Sequence, residues 1–572
     1  RTVTYKCCGG KMTKSKFQEI INFALGPINE YLTKPRIRKN SYYLKHLRRG
    51  SIKKNAVLLE SYHAVSLTGN VYAIFTKMVQ EHPNFHFYWI FSDKNDQMIK
   101  MIREEWKGAK ITFVKYESKK YYKCLAQCEY LINDTSFMPY FIKQKGQVYI
   151  NTWHGTPLKT LGMDIKNAKS SAHKNIQRNL LQADKIIMPN KYTADRLVSS
   201  HDLNGILPAK IYVTGNPRVD LGFTTPNDIK KKYGLPNQKI ILYAPTWKKS
   251  LKETTIKDIN KILDEVNTLQ KSVGDRYKII LKSHYFVYDF FVKNGYEDKI
   301  ISNSIETNEL LAAVDILITD YSSIFFDFLP LKRPVYFYIP DKDAYENSRG
   351  FYLKLEDLPG LVTTKLEPII KKLNENQREY LTQYNDKLNK FLTEFCKFDD
   401  GHARERALKA IFNQKDEKTI ELNYNSPKKK LLFYAGGFLN NGITNSIINL
   451  TNKIDLEKYE VIFMDFSKMN QSRLANLGRL NKHIHFVFRF SYMNRTLFDT
   501  FNQNMVFRQG FNSKNVNQKK FVNLNNWDLK RLIGNLRPDV LIDFGGYNKK
   551  YTALFGLSTL AKRKVIFLHN VM

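Results

Sequence analysis

Short runs of β-branched, aromatic and aliphatic residues alternate with longer polar and amphipathic stretches along most of the chain. Between residues 56 and 213, seven such runs predict the strands of one sheet: Ala56–Leu59, Phe85–Phe91, Ile111–Val114, Tyr130–Asp134, Val148–Ile150, Lys185–Met188 and Ile211–Val213. Four further runs predict a second sheet: Lys239–Ala244, Lys278–Leu281, Ile316–Thr319 and Val335–Tyr338. A helical pattern from Gln377 to Phe398 follows. Strands that alternate with helical stretches are typical of parallel sheets covered by helices.

A third series of runs begins with Lys430–Tyr434, which leads into Gly436-Gly437 and then an apolar helical pattern. A glycine-rich turn between a strand and a helix suits a phosphate or a sugar, although the spacing differs from GxGxxG. Runs at 539–546 and 564–568 add strands. We therefore predict an α/β fold with two Rossmann-like domains and an interdomain cleft, the GT-B arrangement, plus a partial third domain. The predicted units are a basic, partly helical segment 1–49, domains 50–224 and 225–415, a polar linker 416–430 and the partial domain 431–572.

The charge is strongly positive, with 91 Lys and Arg against 54 Asp and Glu and a net charge of +37. The partner predicted from this excess is anionic: a nucleic acid, an anionic bilayer or a polyanionic product. Apolar residues between Phe17 and Ile28 predict a helix that lies on a membrane surface or packs on its own domain. The sequence lacks an apolar run of about eighteen residues and a signal-peptide core, so we expect a cytosolic protein. The ends, Arg1 and Met572, suggest a piece of something longer.

Four predicted strands end in residues that can carry chemistry. His154 follows the run at 148–150, Thr246 follows the run at 239–244, and Lys282-Ser283-His284 follows the run at 278–281. Asp320-Tyr321-Ser322-Ser323 follows the run at 316–319, and we expect both serines in the first turn of the next helix. Ligands of open α/β sheets bind at the carboxyl ends of the strands. Each peptide alone could be a turn or a helix cap, but four such strand ends favour one shared site.

These motifs resemble those of the CDP-glycerol glycerophosphotransferases, a bacterial family that builds teichoic acids and related capsule polymers. The resemblance rests on segments in matching order through residues 50–410: Ser61 to Asn70, Trp153 to Lys159, Gly215 to Asp220, Ala244 to Trp247, Lys282 to His284, Asp320 to Ser323 with Asp327, Lys332 to Pro334, and Asp400-Gly401. Tyr285 stands where the family usually has a proline.

The resemblance implies transfer of glycerol phosphate or ribitol phosphate from a CDP-alditol to an acceptor hydroxyl, with release of CMP. His154 would be the base, because an ordinary imidazole titrates near neutrality, and His284 would contact the phosphates of CDP-glycerol or CDP-ribitol or assist the leaving group. The other residues implied at the site are Thr246, Lys282, Asp320, Ser322, Ser323 and Arg218 on the phosphate side, and Gly155, Thr156, Lys159 and Asn70 on the acceptor side. Arg218 could equally form a salt bridge between domains. No obligatory metal or cofactor is expected, although Asp341-Lys342-Asp343 imitates a metal-binding DxD.

The implied partners are a lipid-linked polymer acceptor and the anionic inner surface of the membrane, with the protein peripheral on the cytoplasmic face. Assembly as a homo-oligomer is left open. Nucleic acid is not expected, because no recognisable nucleic-acid module is present. The segment 431–572 resembles the acceptor half of retaining GT-B glycosyltransferases, or it is a noncatalytic docking domain. Two alternatives remain for the whole chain: a nucleotide-sugar glycosyltransferase in both modules, or a nonenzymatic binder of anionic polymer or membrane.

Overall fold

The computed structural model describes residues 4–7, 10–94, 97–166, 171–246, 255–283, 285–341, 350–466 and 470–569. The strands are β1 Thr4–Cys7, β2 Gly10–Thr13, β3 Lys53–Glu60, β4 His86–Phe91, β5 Lys110–Lys115, β6 Cys128–Asn133, β7 Val148–Asn151, β8 Lys185–Met188, β9 Ile206–Val213, β10 Lys239–Ala244, β11 Tyr277–Leu281, β12 Ile316–Thr319, β13 Val335–Tyr338, β14 Leu361–Thr363, β15 Ile420–Asn425, β16 Lys429–Tyr434, β17 Tyr459–Phe466, β18 His485–Arg489, β19 Val540–Asp543 and β20 Arg563–Ile566.

The α-helices are α1 Lys14–Thr33, α2 Pro35–Arg49, α3 Gly69–Glu81, α4 Gln97–Glu105, α5 Lys119–Gln127, α6 Lys174–Gln182, α7 Lys191–Ser200, α8 Pro226–Tyr233, α9 Ile256–Val273, α10 Tyr285–Lys293, α11 Thr307–Ala312, α12 Ile324–Phe328, α13 Glu367–Leu373, α14 Gln377–Gln383, α15 Asn385–Phe395, α16 Ala403–Ile411, α17 Gly442–Thr451, α18 Gln471–Leu477, α19 Leu497–Gln509, α20 Gln518–Ile533 and α21 Lys549–Gly556.

The first sheet has eight strands in the order β15-β9-β8-β7-β6-β3-β4-β5. Its strands β3 to β9 are parallel, and helices cover both faces, so the inner strands have no solvated side. Every residue of β8 is buried, which explains why this strand is a continuous apolar run apart from Lys185. The Lys185 ammonium is satisfied by the carbonyls at the end of α16, with a distance of 2.8 Å to the Ile411 oxygen.

The second sheet has five parallel strands in the order β11-β10-β12-β13-β14. Buried clusters lie on both of its faces, one around Leu242 and Phe337 and the other around Tyr243 and Tyr336. Strands β10, β12 and β13 have the predicted limits, whereas β14 was not predicted. The predicted helical segment 377–398 is divided into α14 and α15. The mixed α/β class with parallel sheets is confirmed.

The third sheet is also parallel, with five strands in the order β18-β17-β16-β19-β20. Sequence analysis predicted β16, β19 and β20 but missed β17 and β18. The structure places both missed strands on the far side of β16 from β19. The sheet is therefore wider than the predicted set of strands.

The segment 416–430, predicted as a polar linker, contains a strand of the first sheet. Its residues 420–425 form β15, which pairs antiparallel with β9 at the edge of the first sheet. The strand alternates apolar Ile420, Leu422 and Tyr424 with polar residues, because only one of its faces packs on the protein. A half-exposed edge strand thus has the polar composition that suggested a linker.

Two helices also cross the predicted domain limits. Helix α2, in the predicted segment 1–49, buries Tyr43, Leu44 and Leu47 in the core of the first sheet, and the Tyr43 hydroxyl donates to the Ile142 carbonyl at 3.0 Å. Helix α16, in the predicted domain 225–415, returns to the first sheet and packs on α3. Asp220 accepts hydrogen bonds from the first backbone N–H groups of α16 and so fixes its position.

The third sheet packs directly on the first domain. Gly534 ends α20 with φ +58°, and a Cβ atom there would lie 2.3 Å from the Leu181 carbonyl oxygen, so only glycine permits this approach. The next residue, Asn535, donates its backbone N–H to the same carbonyl at 2.7 Å. On β18, His485 Nδ1 lies 2.6 Å from a carboxylate oxygen of Asp202. Apolar residues of both units share one buried cluster, so the two sheets form one packed body.

Candidate active site between the first two sheets

A cavity of about 700 Å³ lies where the carboxyl ends of the first two sheets face each other. From the first sheet it is lined by loops that follow β3, β7 and β9, and from the second sheet by loops that follow β10, β11 and β12. The lining residues include His154, Gly155, Thr156, Lys159, Arg218, Thr246, Lys282, Ser322 and Ser323. Nine of the predicted site residues, distant in sequence, therefore border one cavity at the strand ends where α/β folds bind ligands.

His154 lies three residues beyond β7, in a loop whose backbone is constrained. Trp153 has φ +48°, a left-handed value that is uncommon outside glycine, and the indole packs on the imidazole with ring centroids 4.1 Å apart. His154 Nδ1 lies 3.2 Å from the Asp134 backbone carbonyl. Because a carbonyl can only accept, Nδ1 carries the proton and Nε2 keeps a lone pair. The imidazole is thus held in the tautomer that a general base requires.

Burial lowers the pKa of His154 to about 4, and the positive charge of Arg218 acts in the same direction, while the hydrogen bond to Asp134 opposes it. The pKa of His154 in the folded protein is therefore below the near-neutral value of an ordinary imidazole. The reason is desolvation, which disfavours the charged imidazolium. His154 is consequently neutral, and able to accept a proton, throughout the neutral pH range.

Gly155 and Arg218 fit together in the cavity wall. Gly155 has φ +119°, and a Cβ atom on it would lie 2.7 Å from Arg218 Nη2. Arg218 is itself buried and forms an ion pair with Asp327 of the second domain, with distances of 2.8 Å from both Nε and Nη2 to Oδ2. Its Nη1 donates to the Tyr62 hydroxyl at 3.2 Å. The structure thus places Arg218 in the domain-closing salt bridge that was one of its two predicted roles.

Asn70 was expected on the acceptor side, but it does not border the cavity. Its side chain is buried, and Nδ2 donates to the Thr152 carbonyl at 3.2 Å while Oδ1 accepts from the Arg218 backbone N–H at 3.1 Å. It therefore braces the loops that carry His154 and Arg218. Asn216 has a similar supporting position, since its Nδ2 donates to Asp327 Oδ1 at 2.8 Å.

Thr246 and Asp320 form a pair at the ends of neighbouring strands. The Thr246 backbone N–H and hydroxyl donate to the two carboxylate oxygens of Asp320 at 2.9 and 2.5 Å. Thr246 borders the cavity, whereas Asp320 lies behind it. Asp320 therefore orients Thr246, and both hydrogen-bond donors of Thr246 are directed to that carboxylate.

Ser322 and Ser323 border the cavity but precede the helix that was expected to contain them. Helix α12 begins at Ile324, Ser323 is its N-cap residue, and Ser322 Oγ accepts from the Ile324 backbone N–H at 3.4 Å. The expected placement in the first helical turn is therefore wrong by one to two residues. The two hydroxyls remain on the cavity surface, beside the loop of Gly155.

Lys282 directly follows β11. Among the described residues of the second domain, it is the basic side chain that borders this cavity. Burial lowers its pKa to about 8, while the nearby charge of Glu306 opposes the shift. The ammonium is thus charged at neutral pH but close to its titration point. His284, predicted beside it, lies outside the described residues.

On the acceptor side, Thr156 and Lys159 are held by different elements. Thr156 Oγ1 accepts from Asn190 Nδ2 at 2.9 Å, at the start of α7. Lys159 pairs with Phe351 in an isolated β-bridge, and its ammonium lies 6.0 Å from the ring centre of Tyr321. Both residues border the cavity, and Lys159 links the two domains across its rim.

Three residues at the site were missed by sequence analysis. Asp134 accepts from the Ser61 hydroxyl at 2.6 Å and supplies the carbonyl that orients His154. Glu306 accepts from the Gly69 backbone N–H at 2.6 Å, which joins the second domain to the first. Tyr62 borders the cavity and begins a run of three residues with positive φ. A carboxylate directly after a buried strand was the available signal for Asp134, whereas the contact of Glu306 with a distant loop has no local signal.

The described residues contain no group of three or more His, Cys, Asp or Glu side chains that could hold a metal ion. Of the DxD-like tripeptide, Asp341 accepts a hydrogen bond from the Tyr321 hydroxyl at 2.9 Å. Residues 342 and 343 lie outside the described part. The side chains that this cavity offers to a substrate include the His154 imidazole, the hydroxyls of Ser322 and Ser323 and the Lys282 ammonium.

Comparison with known proteins gives one consistent family. A family model described as CDP-glycerol:poly(glycerophosphate) glycerophosphotransferase matches residues 41–413. The teichoic acid poly(glycerol phosphate) polymerase of Staphylococcus epidermidis is 31% identical over 370 residues, which are 62% of this chain and 50% of that protein. The teichoic acid glycerol-phosphate transferase of Staphylococcus aureus is 29% identical over 385 residues, 63% of this chain and 93% of that protein.

Among solved structures, one of the wall teichoic acid polymerase TagF superposes with a TM-score of 0.58 at 28% identity, over 69% of this chain and 97% of that chain. The chain spans about half the length of the first polymerases that it matches. The cavity and all nine predicted residues that border it lie within the matched range 41–413.

Proposed function

The chain belongs to the CDP-glycerol:poly(glycerophosphate) glycerophosphotransferase family, and we propose that it transfers glycerol phosphate from CDP-glycerol to a hydroxyl group of a lipid-linked acceptor or a growing polymer. The observation that carries the proposal is the neutral His154 imidazole, fixed through Nδ1 in a cavity whose opposite wall supplies Lys282 and the hydroxyls of Ser322 and Ser323. CDP-ribitol is the other alditol nucleotide that the same chemistry accepts.

In the proposed reaction the acceptor oxygen attacks the phosphorus that bears the glycerol. His154 Nε2 takes the proton of the attacking hydroxyl, a new P–O bond forms, and the bond between this phosphorus and the CMP oxygen breaks. CMP leaves with the electron pair of that bond. Lys282 offsets the negative charge of the pyrophosphate, and the two serine hydroxyls donate to its oxygens. Positioning and charge stabilisation dominate phosphoryl transfer in general, so these groups suffice without covalent catalysis.

We propose that the first two sheets act as a GT-B pair, with the acceptor on the first domain and the CDP-alditol on the second. The Arg218–Asp327 ion pair and the hydrogen bond from Gly69 to Glu306 support this assignment, because both join the two domains beside the cavity. The His154 loop belongs to the first domain and Lys282 to the second. A closed cleft therefore brings base and phosphate-binding groups together.

The test is CMP release from CDP-glycerol by the purified full chain with a lipid-linked glycerol-phosphate acceptor. His154→Ala should reduce turnover by about 10²–10⁴-fold, the usual contribution of a general base, with CDP-glycerol affinity retained. His201→Ala is a matched control: His201 is also buried, burial also lowers its pKa to about 4, and it does not border the cavity. Retained turnover in His154→Ala would exclude the proposed base, and UDP release from nucleotide sugars in place of CMP release would favour the glycosyltransferase alternative.

We also propose that the protein acts at the cytoplasmic surface of the membrane. Leu25, Ile28 and Leu32 share one face of α1 and are 56%, 37% and 64% exposed, and Phe498 on the adjoining α19 is 73% exposed. Lys34 and the basic helix α2 follow directly, as expected for adsorption to anionic lipid. In the described part of the chain, every helix is too short or too polar to cross a bilayer. Cosedimentation with phosphatidylglycerol vesicles should fall in Leu25→Glu/Leu32→Glu, and unchanged binding would contradict this location.

A further inference from the structure

A second cavity, of about 610 Å³, lies at the carboxyl ends of the third sheet. Its floor is formed by Phe466 at the end of β17 and Arg489 at the end of β18, and Ile37 and Asn40 of α2 close it on the opposite side. Among the described residues it shares no lining residue with the first cavity. All of its lining residues lie outside the matched family range 41–413.

The lining of this second cavity is strongly cationic. Five of its residues are basic and one is acidic, but Arg495 Nη2 is paired with Glu30 Oε2 at 3.2 Å outside the lining. This leaves an excess of three positive charges: Arg473, Arg489, Arg531 and Lys550 against Asp528. Asp528 Oδ1 is already paired with Arg531 at 2.8 Å, and its Oδ2 lies 3.6 Å from Arg489 Nη2. In the described structure, Arg473 and Lys550 have no ion pair within 4.0 Å. Asp465 acts on Arg473 from beyond ion-pair distance, so the lining keeps a net positive charge that faces the cavity.

Polar atoms around the cavity are buried without hydrogen-bond partners. Asn40 is 2% exposed, and neither its amide nitrogen nor its amide oxygen is bonded. Arg489 Nη1, Arg473 Nε and Asp528 Oδ2 are also buried and unbonded. Leaving such an atom without a partner costs free energy, so native proteins rarely leave several in one place. Their concentration around one cavity indicates a bound polar molecule whose groups satisfy them.

The side chains present define the chemistry of that molecule. Guanidinium groups match the oxygens of a phosphate ester in bidentate geometry. The Asn40 amide can both donate to and accept from hydroxyl groups, while Phe466 and Tyr492, which are 40% and 50% exposed, offer apolar faces for carbon-bound hydrogens. We propose that this cavity is a second ligand site, which binds a phosphate ester of a polyol, either a sugar phosphate or an alditol phosphate. This inference does not depend on the reaction at the first cavity.

The test measures binding by isothermal titration to the full chain, with glycerol 3-phosphate, glucose 1-phosphate and a short oligo(glycerol phosphate) as separate probes. Arg473→Gln/Lys550→Gln should weaken binding of at least one phosphate ester by about tenfold or more, since it removes two cations that form charge-assisted hydrogen bonds. Both side chains reach solvent, so the fold should persist. Arg489→Gln, checked by its melting temperature, should have the same effect. Arg479→Gln, an exposed arginine of the same domain outside the cavity, is the matched control and should bind normally.

Binding at the first cavity is separated by a variant there. Lys282→Met should leave binding of the effective probe unchanged if the probe occupies the second cavity, and CMP release should survive Arg473→Gln/Lys550→Gln. If only a polymeric probe binds, the ligand is polymer product; if a monomer binds equally well, it is a free polyol phosphate. The inference is overturned if none of these probes binds, if Lys282→Met removes the binding that the double variant retains, or if uridine 5′-diphosphate binds more tightly than every polyol phosphate.

Discussion

Lys282 gives the sharpest prediction about the first cavity. Because burial lowers the pKa of this lysine to about 8, its ammonium is charged below that pH and neutral above it. With a pKa of 8, the charged fraction falls about tenfold between pH 7 and pH 9. Since the charged form is the one that can bind the pyrophosphate, kcat/KM for CDP-glycerol should fall by about the same factor over this range.

The perturbation is Lys282→Arg, because a guanidinium stays charged throughout. For each variant, kcat/KM at each pH is divided by kcat/KM of the same variant at pH 7. A pH-independent loss caused by the different shape of arginine therefore does not affect the comparison. The wild-type alkaline limb should disappear in Lys282→Arg, and Lys282→Met should have a low, flat profile. The measurement is CMP release at low CDP-glycerol concentration from pH 6 to pH 10.

One nearby group needs a control. Glu60 ends β3, and burial raises its pKa to about 8 as well, although it does not border the cavity. Glu60→Gln should keep the alkaline limb near pH 8. If the limb vanishes in Glu60→Gln and persists in Lys282→Arg, or if the wild type is flat to pH 10, the assignment of the phosphate-binding cation is refuted.

Two further predictions concern the backbone of the site and the interface of the third sheet. Gly155→Ala adds a Cβ 2.7 Å from Arg218 Nη2 at φ +119°, which should lower the free energy of unfolding by about 1–3 kcal/mol and lower turnover more than tenfold by displacing the Arg218–Asp327 pair. Gly108→Ala is the control, because its added atom meets nothing within 4 Å. It should change neither thermal unfolding nor CMP release. Asp202 and Glu460 raise the pKa of His485 to about 9 against the opposing effect of burial. Its protonation should therefore add about 3 kcal/mol to the free energy of unfolding below pH 6.5, and this stabilisation should be lost as the pH rises through 9. Melting curves of His485→Gln should lack this pH-dependent loss, whereas His483→Gln, which changes an exposed histidine, should retain it.

Much of the fold follows from local patterns. Strands β8, β10, β12 and β13 have the limits expected from their sequences, because strands buried on both faces are short apolar runs with clear ends. Strand β15 was mistaken for a linker because an edge strand needs apolar residues on one face alone. Its alternation of Ile420, Leu422 and Tyr424 was the usable signal.

The candidate site was predictable where a residue lies within three positions of a strand's carboxyl end, as for His154, Thr246 and Lys282. It was not predictable where function depends on distant contacts. The Asp134 carbonyl fixes the tautomer of His154, and desolvation sets its pKa. Neither effect is encoded near residue 154, and the same holds for Asn70, which braces loops behind the cavity.

Strand β15 also determines how the chain can be divided. The family match ends at residue 413, seven residues before this strand begins. A truncation at that point would remove the partner of β9, leave its outer backbone N–H and C=O groups unpaired, and uncover the apolar surface that the third sheet shares with the first. Sequence similarity and structural independence therefore have different limits in this chain, because the packed unit built on the first sheet includes β15, which begins beyond the last residue of the family match.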